Sequence, residues 1–282
     1  MESSATAATA TPPAAPYLHG TSPEEQGRLS LLNRLMNEAA VRELGLRRGE
    51  RVVDFGCGLG QLTRGLARAA GRAVVGLERS AEQLAEGARQ AAEAGEELLL
   101  DLRQGDVAAP PLRPEEWGTF DVAHARFVLE HVQDPLAVVQ QMVLAVRRGG
   151  RVVVEDDDHE VFRCYPEPAG LSALWRAYER TYDRLGCDPY VGRRLVSLLH
   201  AAGARPVRST FLFFGGCAGE EKFASLTKNL IGLLLGAREP IVNGGLLPAA
   251  EFDGAIEALA AWAQRPDAAF WYAIFWAEGV RP

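Results

Sequence analysis

Between Arg51 and Glu155 short apolar runs alternate with longer stretches whose apolar residues recur every three or four positions. Runs of the first kind suit strands buried on both faces, and stretches of the second suit helices that cross back over a sheet. The alternation therefore predicts a parallel sheet with crossover helices. The predicted strands are residues 51–55, 73–78, 98–103, 120–125 and 151–155. The helices between them carry their own punctuation. Ser80 to Gln83 is a capping-box pattern, Asp134-Pro135 is an N-cap followed by proline in the first turn, and Gly71 and Gly149 stop the helices before them. Upstream, Ser22-Pro23-Glu24-Glu25 opens another helix, on which Leu29, Leu32, Leu35, Met36 and Ala39 share one face, and which ends before Gly49. Beyond Glu155 helices are predicted over 171–185, 191–202 and 252–262, and aromatic-rich strands over 207–214 and 269–276 that complete the same sheet. The stretch 220–248 is too long for a simple hairpin and reads as a helical insertion.

Composition narrows the class of protein without changing this outline. With 282 residues, 48% of them hydrophobic and 24% charged, the chain can bury a substantial core, and wholesale disorder is excluded. A net charge of −7 is the wrong sign for coating nucleic acid or an anionic membrane, so the expected partner is a small molecule. No apolar run approaches the roughly 18–20 residues of a bilayer span. Residues 1–16 lack the basic start and apolar segment of a secretory signal and read as a disordered tail. Cys57, Cys164, Cys187 and Cys217 form no CxxC pair, which fits a cytoplasmic protein without a zinc knuckle or redox motif. The expected organisation is one domain over 17–282. It comprises a helical cap (17–48), a cofactor-binding core (49–158), a helical lid (159–206 and 218–267) and closing strands (207–217 and 268–280), in a monomer or homodimer.

The first predicted strand runs straight into Asp54-Phe55-Gly56-Cys57-Gly58-Leu59-Gly60, with a helix opening near Leu59. Glycines at such a turn let a ligand approach the backbone, and the helix N-terminus presents N–H donors to it, so a nucleotide-like ligand is expected. The dinucleotide pattern GxGxxG would need glycine where Gln61 stands, which weakens a nicotinamide oxidoreductase reading.

An acidic-x-Gly-x-Gly-x-Gly sequence resembles instead that of class I S-adenosylmethionine-dependent methyltransferases, and other stations follow in order. Val74-Val75-Gly76-Leu77-Glu78 ends the second strand on a carboxylate. Gly105-Asp106-Val107 follows the third. Phe120-Asp121-Val122 to His131-Val132-Gln133-Asp134-Pro135 looks like the fourth-strand segment, and Arg148-Gly149-Gly150-Arg151 the turn into the fifth. Tyr17-Leu18-His19-Gly20, Glu25, Arg28-Leu29 and Gly192-Arg193-Arg194-Leu195 are similar to a bacterial ubiquinone/menaquinone-type group acting on small molecules. The resemblance implies a doubly wound, Rossmann-like α/β fold with a seven-stranded sheet, mostly parallel with the last strand antiparallel, plus an N-terminal helix and helical lid insertions. It implies S-adenosylmethionine as cofactor, with Glu78 on the ribose hydroxyls and Asp106 on the adenine amino group. Asp54, Gly56, Cys57, Gly58, Gly60, Arg79, Val107, Ala125, Arg126 and His131 would complete the binding set, with Tyr17 over the sulfonium and Arg28 toward the cofactor carboxylate.

Methyl transfer from a sulfonium is an in-line displacement, so alignment and exclusion of water matter more than acid catalysis, and a hydroxyl or amine acceptor also needs a place for its proton. Glu155-Asp156-Asp157-Asp158-His159 lies just past the fifth strand, on the rim where substrate should meet the methyl group. Asp157, His159 and His131 are the candidate catalytic residues, whereas Asp156 and Asp158 read equally well as a solvated acidic turn. No metal is expected, because no second carboxylate group stands at a visible spacing from that run. His124 and His200 read as structural, Cys57 as an inert thiol, and Arg193 as either an anion contact or a surface pair. The preferred acceptor is an apolar or aromatic metabolite, with Leu230 to Leu235 roofing its pocket. The competing functions are a cofactor-binding regulatory protein without transfer and the nicotinamide enzyme.

Overall fold

The structure is a computed structural model that describes residues 22–282; the expected tail and Tyr17 lie outside the described residues. Helix α1 (Pro23–Leu44) begins where the sequence places it, with Ser22 accepting a hydrogen bond from Glu25 N (3.3 Å). There follow β1 (Val52–Phe55), α2 (Gln61–Ala70), β2 (Val74–Glu78), α3 (Ala81–Glu93), β3 (Leu100–Gln104), β4 (Phe120–Arg126), α4 (Pro135–Ala145) and β5 (Val146–Asp157). The second half holds β6 (Arg163–Tyr165), α5 (Leu171–Glu179), α6 (Leu195–Ala201), β7 (Arg205–Phe213), β8 (Gly216–Cys217), α7 (Phe223–Gly236), α8 (Arg238–Val242), α9 (Ala249–Trp262), β9 (Ala269–Trp271) and β10 (Ala273–Val280).

Seven strands form one sheet in the order β3-β2-β1-β4-β5-β10-β7, and only β10 runs antiparallel to its neighbours. Successive β1 residues face opposite ways. Val52 packs with Val74, Val122 and Val153 against α1 and α2, while Val53 packs with Val75, Ala123 and Val152 against α4 and α6. The sheet is thus covered on both faces, and its order reverses between β1 and β4, where a doubly wound sheet opens a crevice at its carboxyl edge. A third apolar cluster, drawn from α5, α7, α9 and β9, gathers around the end of β5 and the start of β10.

Several predicted elements change on inspection. The stretch 269–276 is two strands. β9 joins β6 and β8 in a separate three-stranded sheet, β10 joins the main sheet, and the chain crosses between them at Tyr272. Both segments keep aromatic and apolar residues throughout, so local alternation does not reveal the break. β5 starts directly after α4 and reaches Asp157, so Gly149, at φ 75°, lies within a strand and does not stop a helix. The helix predicted over 171–185 ends at Glu179, followed by a separate 3-10 turn at Asp183–Leu185. At α3, Ser80 Oγ accepts from Gln83 N (3.1 Å) as predicted, but Ser80 N donates to Glu78 Oε1 (2.9 Å), which draws Glu78 into the cap. No helix among the described residues is long and apolar enough to cross a membrane.

Candidate active site

The carboxyl ends of β1 to β4 open onto a cavity of about 410 Å³. The turn after β1 forms its inner wall. Gly56 sits at φ 72°, and a Cβ there would lie 2.4 Å from Val128 Cγ2, so this position requires glycine on both counts. Gly58 N donates to Glu78 Oε2 (3.2 Å), so the same carboxylate that caps Ser80 ties the β1 turn to the end of β2 while lining the cavity. Opposite, Asp106 stabilises its own turn by accepting from Ala108 N (2.8 Å). Cys57, Gly58, Arg79, Val107, Arg126 and His131 line the same space, together with Asn33 and Gln83, which the sequence did not single out. Ala125 does not reach it and is buried in the sheet core. Burial, reinforced by the charges of Asp54 and Glu78, pushes the Cys57 thiol well above its usual range, consistent with an inert role.

Asp54 borders the cavity, but its carboxylate is already engaged, by Thr63 Oγ1 (2.6 Å) and His124 Nδ1 (2.9 Å). His124 Nε2 lies 2.8 Å from Glu155 Oε1, so the ring bridges two buried carboxylates. Burial opposes a charge on this imidazole, yet the hydrogen bonds and charges of Asp54 and Glu155 outweigh it and lift the pKa to about 9. Next to it, half-buried Arg126 donates from Nη2 to Asn33 Oδ1 (2.8 Å) and Asn37 Oδ1 (2.6 Å) on α1. Its Nη1 is buried on the cavity wall without a hydrogen-bond partner among the described residues. A buried guanidinium nitrogen left open in this way is a ready contact for an anionic ligand group.

A second cavity, of about 90 Å³, adjoins the first, and Leu29, Leu32, Phe127 and His131 line both. Phe127 holds φ 54°, a strained conformation for an aromatic residue, and its N–H donates to Glu155 O (3.1 Å). The smaller cavity is walled by aromatic rings, among them Phe162, Trp175, Tyr178, Tyr182 and Tyr272, and holds Glu130, Asp157 and His159. Glu130, missed by the sequence reading, is the hub. Its Oε2 accepts from the Tyr182 hydroxyl (2.9 Å) and lies 3.1 Å from His159 Nε2, and its Oε1 lies 3.4 Å from His131 Nε2. Asp157 Oδ2 is 3.8 Å from His159 Nε2. Asp157 Oδ1, His159 Nδ1 and the Tyr272 hydroxyl are buried without hydrogen-bond partners among the described residues.

Electrostatics in this pocket follow from desolvation. Burial raises Glu130 to about 7, and burial together with the Glu130 charge raises Asp157. Burial and the nearby positive charges of His159, Arg79 and Arg28 lower His131 to about 3, so its imidazole is neutral at physiological pH. The acidic run is therefore no solvated turn. Asp156 is buried and accepts from Val128 N (3.1 Å), Leu129 N (2.7 Å) and Asp157 N (3.0 Å), which fixes the turn carrying Glu130 and His131 onto the end of β5. Asp158 is buried too, and pairs through both oxygens with Arg193 (2.6 and 2.7 Å), which settles Arg193 as an ion pair at the molecular surface. Gly192 allows this arrangement, since a Cβ there would lie 2.8 Å from Asp157 O. Arg28 is bound bidentately by Glu25 (2.6 and 2.7 Å) and lines the smaller cavity, away from the larger one where a cofactor carboxylate was expected to meet it.

Comparison with known proteins agrees with this architecture. A solved geranyl diphosphate methyltransferase in complex with S-adenosylmethionine superposes with a TM-score of 0.54 at 19% identity, covering 92% of this chain and 90% of that one. The ubiquinone biosynthesis O-methyltransferase of Ralstonia nicotianae is 40% identical over 104 residues, 37% of this chain and 42% of the relative. The 27-O-demethylrifamycin SV methyltransferase of Amycolatopsis mediterranei is 30% identical over 155 residues, 55% of this chain and 54% of the relative. The chain thus matches only about half the length of these curated relatives. Residues 27–209 match the family model described as "Methyltransferase domain", and with that match the chain belongs to this family, among the class I S-adenosylmethionine-dependent methyltransferases.

Proposed function

We propose that the protein transfers a methyl group from S-adenosylmethionine to a hydroxyl of a small, largely aromatic acceptor. The observation that carries this reading is the meeting of two unlike cavities at His131, one polar-edged at the strand ends and one aromatic and acid-rich. The donor set of the larger cavity suits the cofactor. The open Arg126 Nη1 would take its carboxylate, Glu78 its ribose hydroxyls, and Asp106 its adenine amino group. Bound there, the cofactor supplies an electrophilic methyl group on a positively charged sulfur.

The chain's own residues do the rest. Trp175, Tyr178 and Tyr272 exclude water and hold an aromatic ring, and His131 fixes the acceptor hydroxyl at the junction. Asp157 Oδ1, with no partner at hydrogen-bonding distance among the described residues, takes up the hydroxyl proton, while His159 and Glu130 position that carboxylate. A cluster so rich in acceptors calls for a proton-bearing substrate, and the name of the ubiquinone relative, an O-methyltransferase, supports the same choice.

Two measurements test the proposal. S-adenosylhomocysteine should raise the melting temperature and NAD should not, and labelled methyl should pass to members of a panel of hydroxylated aromatics. Binding without transfer to any of them would sink the catalytic reading and leave a cofactor-binding regulator. Within the cofactor site, Glu78→Ala should weaken S-adenosylhomocysteine by about 1–3 kcal/mol, roughly 5- to 150-fold, through loss of charge-assisted hydrogen bonds. Unchanged affinity in calorimetry would remove Glu78 from the ribose.

A further inference from the structure

We infer that Glu130, Asp157 and His159 form a binding site for one divalent transition-metal ion, on the acceptor side of His131. Glu130 belongs to the turn after β4 and the other two residues to the end of β5, so only the fold brings the three together. One ligand atom from each residue lies within 4.8 Å of the other two. Two ligands bound near 2.1 Å stand about 3.0 Å apart at a right angle and about 4.2 Å apart across the ion. The separations of His159 Nε2 from Glu130 Oε2, 3.1 Å, and from Asp157 Oδ2, 3.8 Å, fall inside that span.

Charge points the same way. Among the described residues, the nearest basic groups to Glu130 and Asp157 are the imidazoles of His131 and His159, both of which burial holds toward the neutral form; no arginine or lysine nitrogen lies within salt-bridge distance, although the charge of Arg28 is felt at Glu130. Arg28, the guanidinium lining this cavity, is engaged bidentately by Glu25. A buried carboxylate, Glu130, and a largely buried one, Asp157, are costly to keep ionised among aromatic rings without a cation. The Tyr272 side chain, 9% exposed, turns its hydroxyl into the same cavity toward Asp157, with no partner at hydrogen-bonding distance among the described residues. Such an open donor suits a water or acceptor oxygen on the ion, or Asp157 Oδ1, which stays outward when Oδ2 faces the metal.

The ligand set selects the ion. One imidazole with two carboxylates favours Mn²⁺, Fe²⁺ or Zn²⁺ over Ca²⁺, which prefers oxygen ligands alone. The cavity that holds the three residues meets the larger one at His131, as suits a site that keeps an open position for a ligand. Metal binding stands apart from the methyl-transfer reading. Only the ion's use, holding the acceptor oxygen by charge, rests on that reading.

The test uses the full chain, stripped with a chelator and dialysed, without cofactor or acceptor. Mn²⁺ is titrated by electron paramagnetic resonance and Zn²⁺ by competition with a chromogenic chelator. One equivalent of either metal should bind at micromolar concentrations. Glu130→Gln and Asp157→Asn should each weaken it at least about tenfold, whereas Glu160→Gln, on an exposed carboxylate paired with Arg193, should not. Retained S-adenosylhomocysteine binding certifies that each variant is folded. Failure of the wild-type chain to bind either metal at one equivalent, or undiminished binding in folded Glu130→Gln and Asp157→Asn, overturns the site. Neither result depends on whether methyl transfer is observed.

Discussion

Replacing His124 with leucine is expected to destabilise the fold by about 3–5 kcal/mol near pH 6, the cost of stranding buried carboxylates whose cation has been removed. The imidazole joins Asp54 on β1 to Glu155 on β5 across β4, with ring-to-carboxylate distances of 2.9 and 2.8 Å and no solvent contact of consequence. The effect carries a pH signature of known sign. The pKa of His124, about 9 when folded against 6.5 for a free histidine, means that the native state holds the proton more tightly than the unfolded chain. That contribution is complete below about pH 6.5, declines as the pH rises toward 9 and is absent above it, a difference of about 3 kcal/mol. Urea unfolding of the wild-type chain and His124→Leu at pH 6 and pH 9.5 reads this directly. The gap between the two proteins should shrink by about that amount at the higher pH; a gap of equal size at both would mean that the ring is not a buried imidazolium.

The same triad shows how far a sequence can be read. His124 reads as structural in the sequence, and the fold agrees, but its partners Asp54 and Glu155 lie 70 and 31 residues away. Asp54 reads as a ligand contact because it precedes the glycine turn; it does border the cavity, but its carboxylate is also held by Thr63 on α2 and His124 on β4, which local sequence does not reveal. The glycine turn, Glu78 and Asp106 were legible because each is a local event, a strand running into a turn, and the order of such turns reports a doubly wound sheet. Glu130 was invisible for the opposite reason. Within Leu129-Glu130-His131 nothing marks the carboxylate, and its meaning comes from Tyr182 and His159, which reach it from elements formed 52 and 29 residues later. Arg28 was correctly placed on a helix, but periodicity gives the face of α1 and not the cavity it covers. The acidic run was ambiguous between surface and site because burial of Asp156 and Asp158 depends on the turn at Gly192, more than thirty residues downstream.

Asp157→Asn should lower kcat for methyl transfer by about two to four orders of magnitude, the usual range for loss of a positioned proton acceptor. The substitution preserves shape, so it keeps packing against Tyr272 and His159 and removes only the charge and one acceptor site. Two features separate this from a general loss of structure. Asp157 lines the smaller cavity and not the larger, so affinity for S-adenosylhomocysteine should stay within a few fold of wild type. Glu78→Ala, on the larger cavity, should do the reverse, raising the KM for the cofactor while kcat at saturation falls much less. Single-turnover rates with saturating cofactor compare the two variants without interference from product release. If Asp157→Asn retained kcat within threefold of wild type, the hydroxyl proton would have to leave by another route, and the acid-rich end of the aromatic cavity would serve acceptor binding alone.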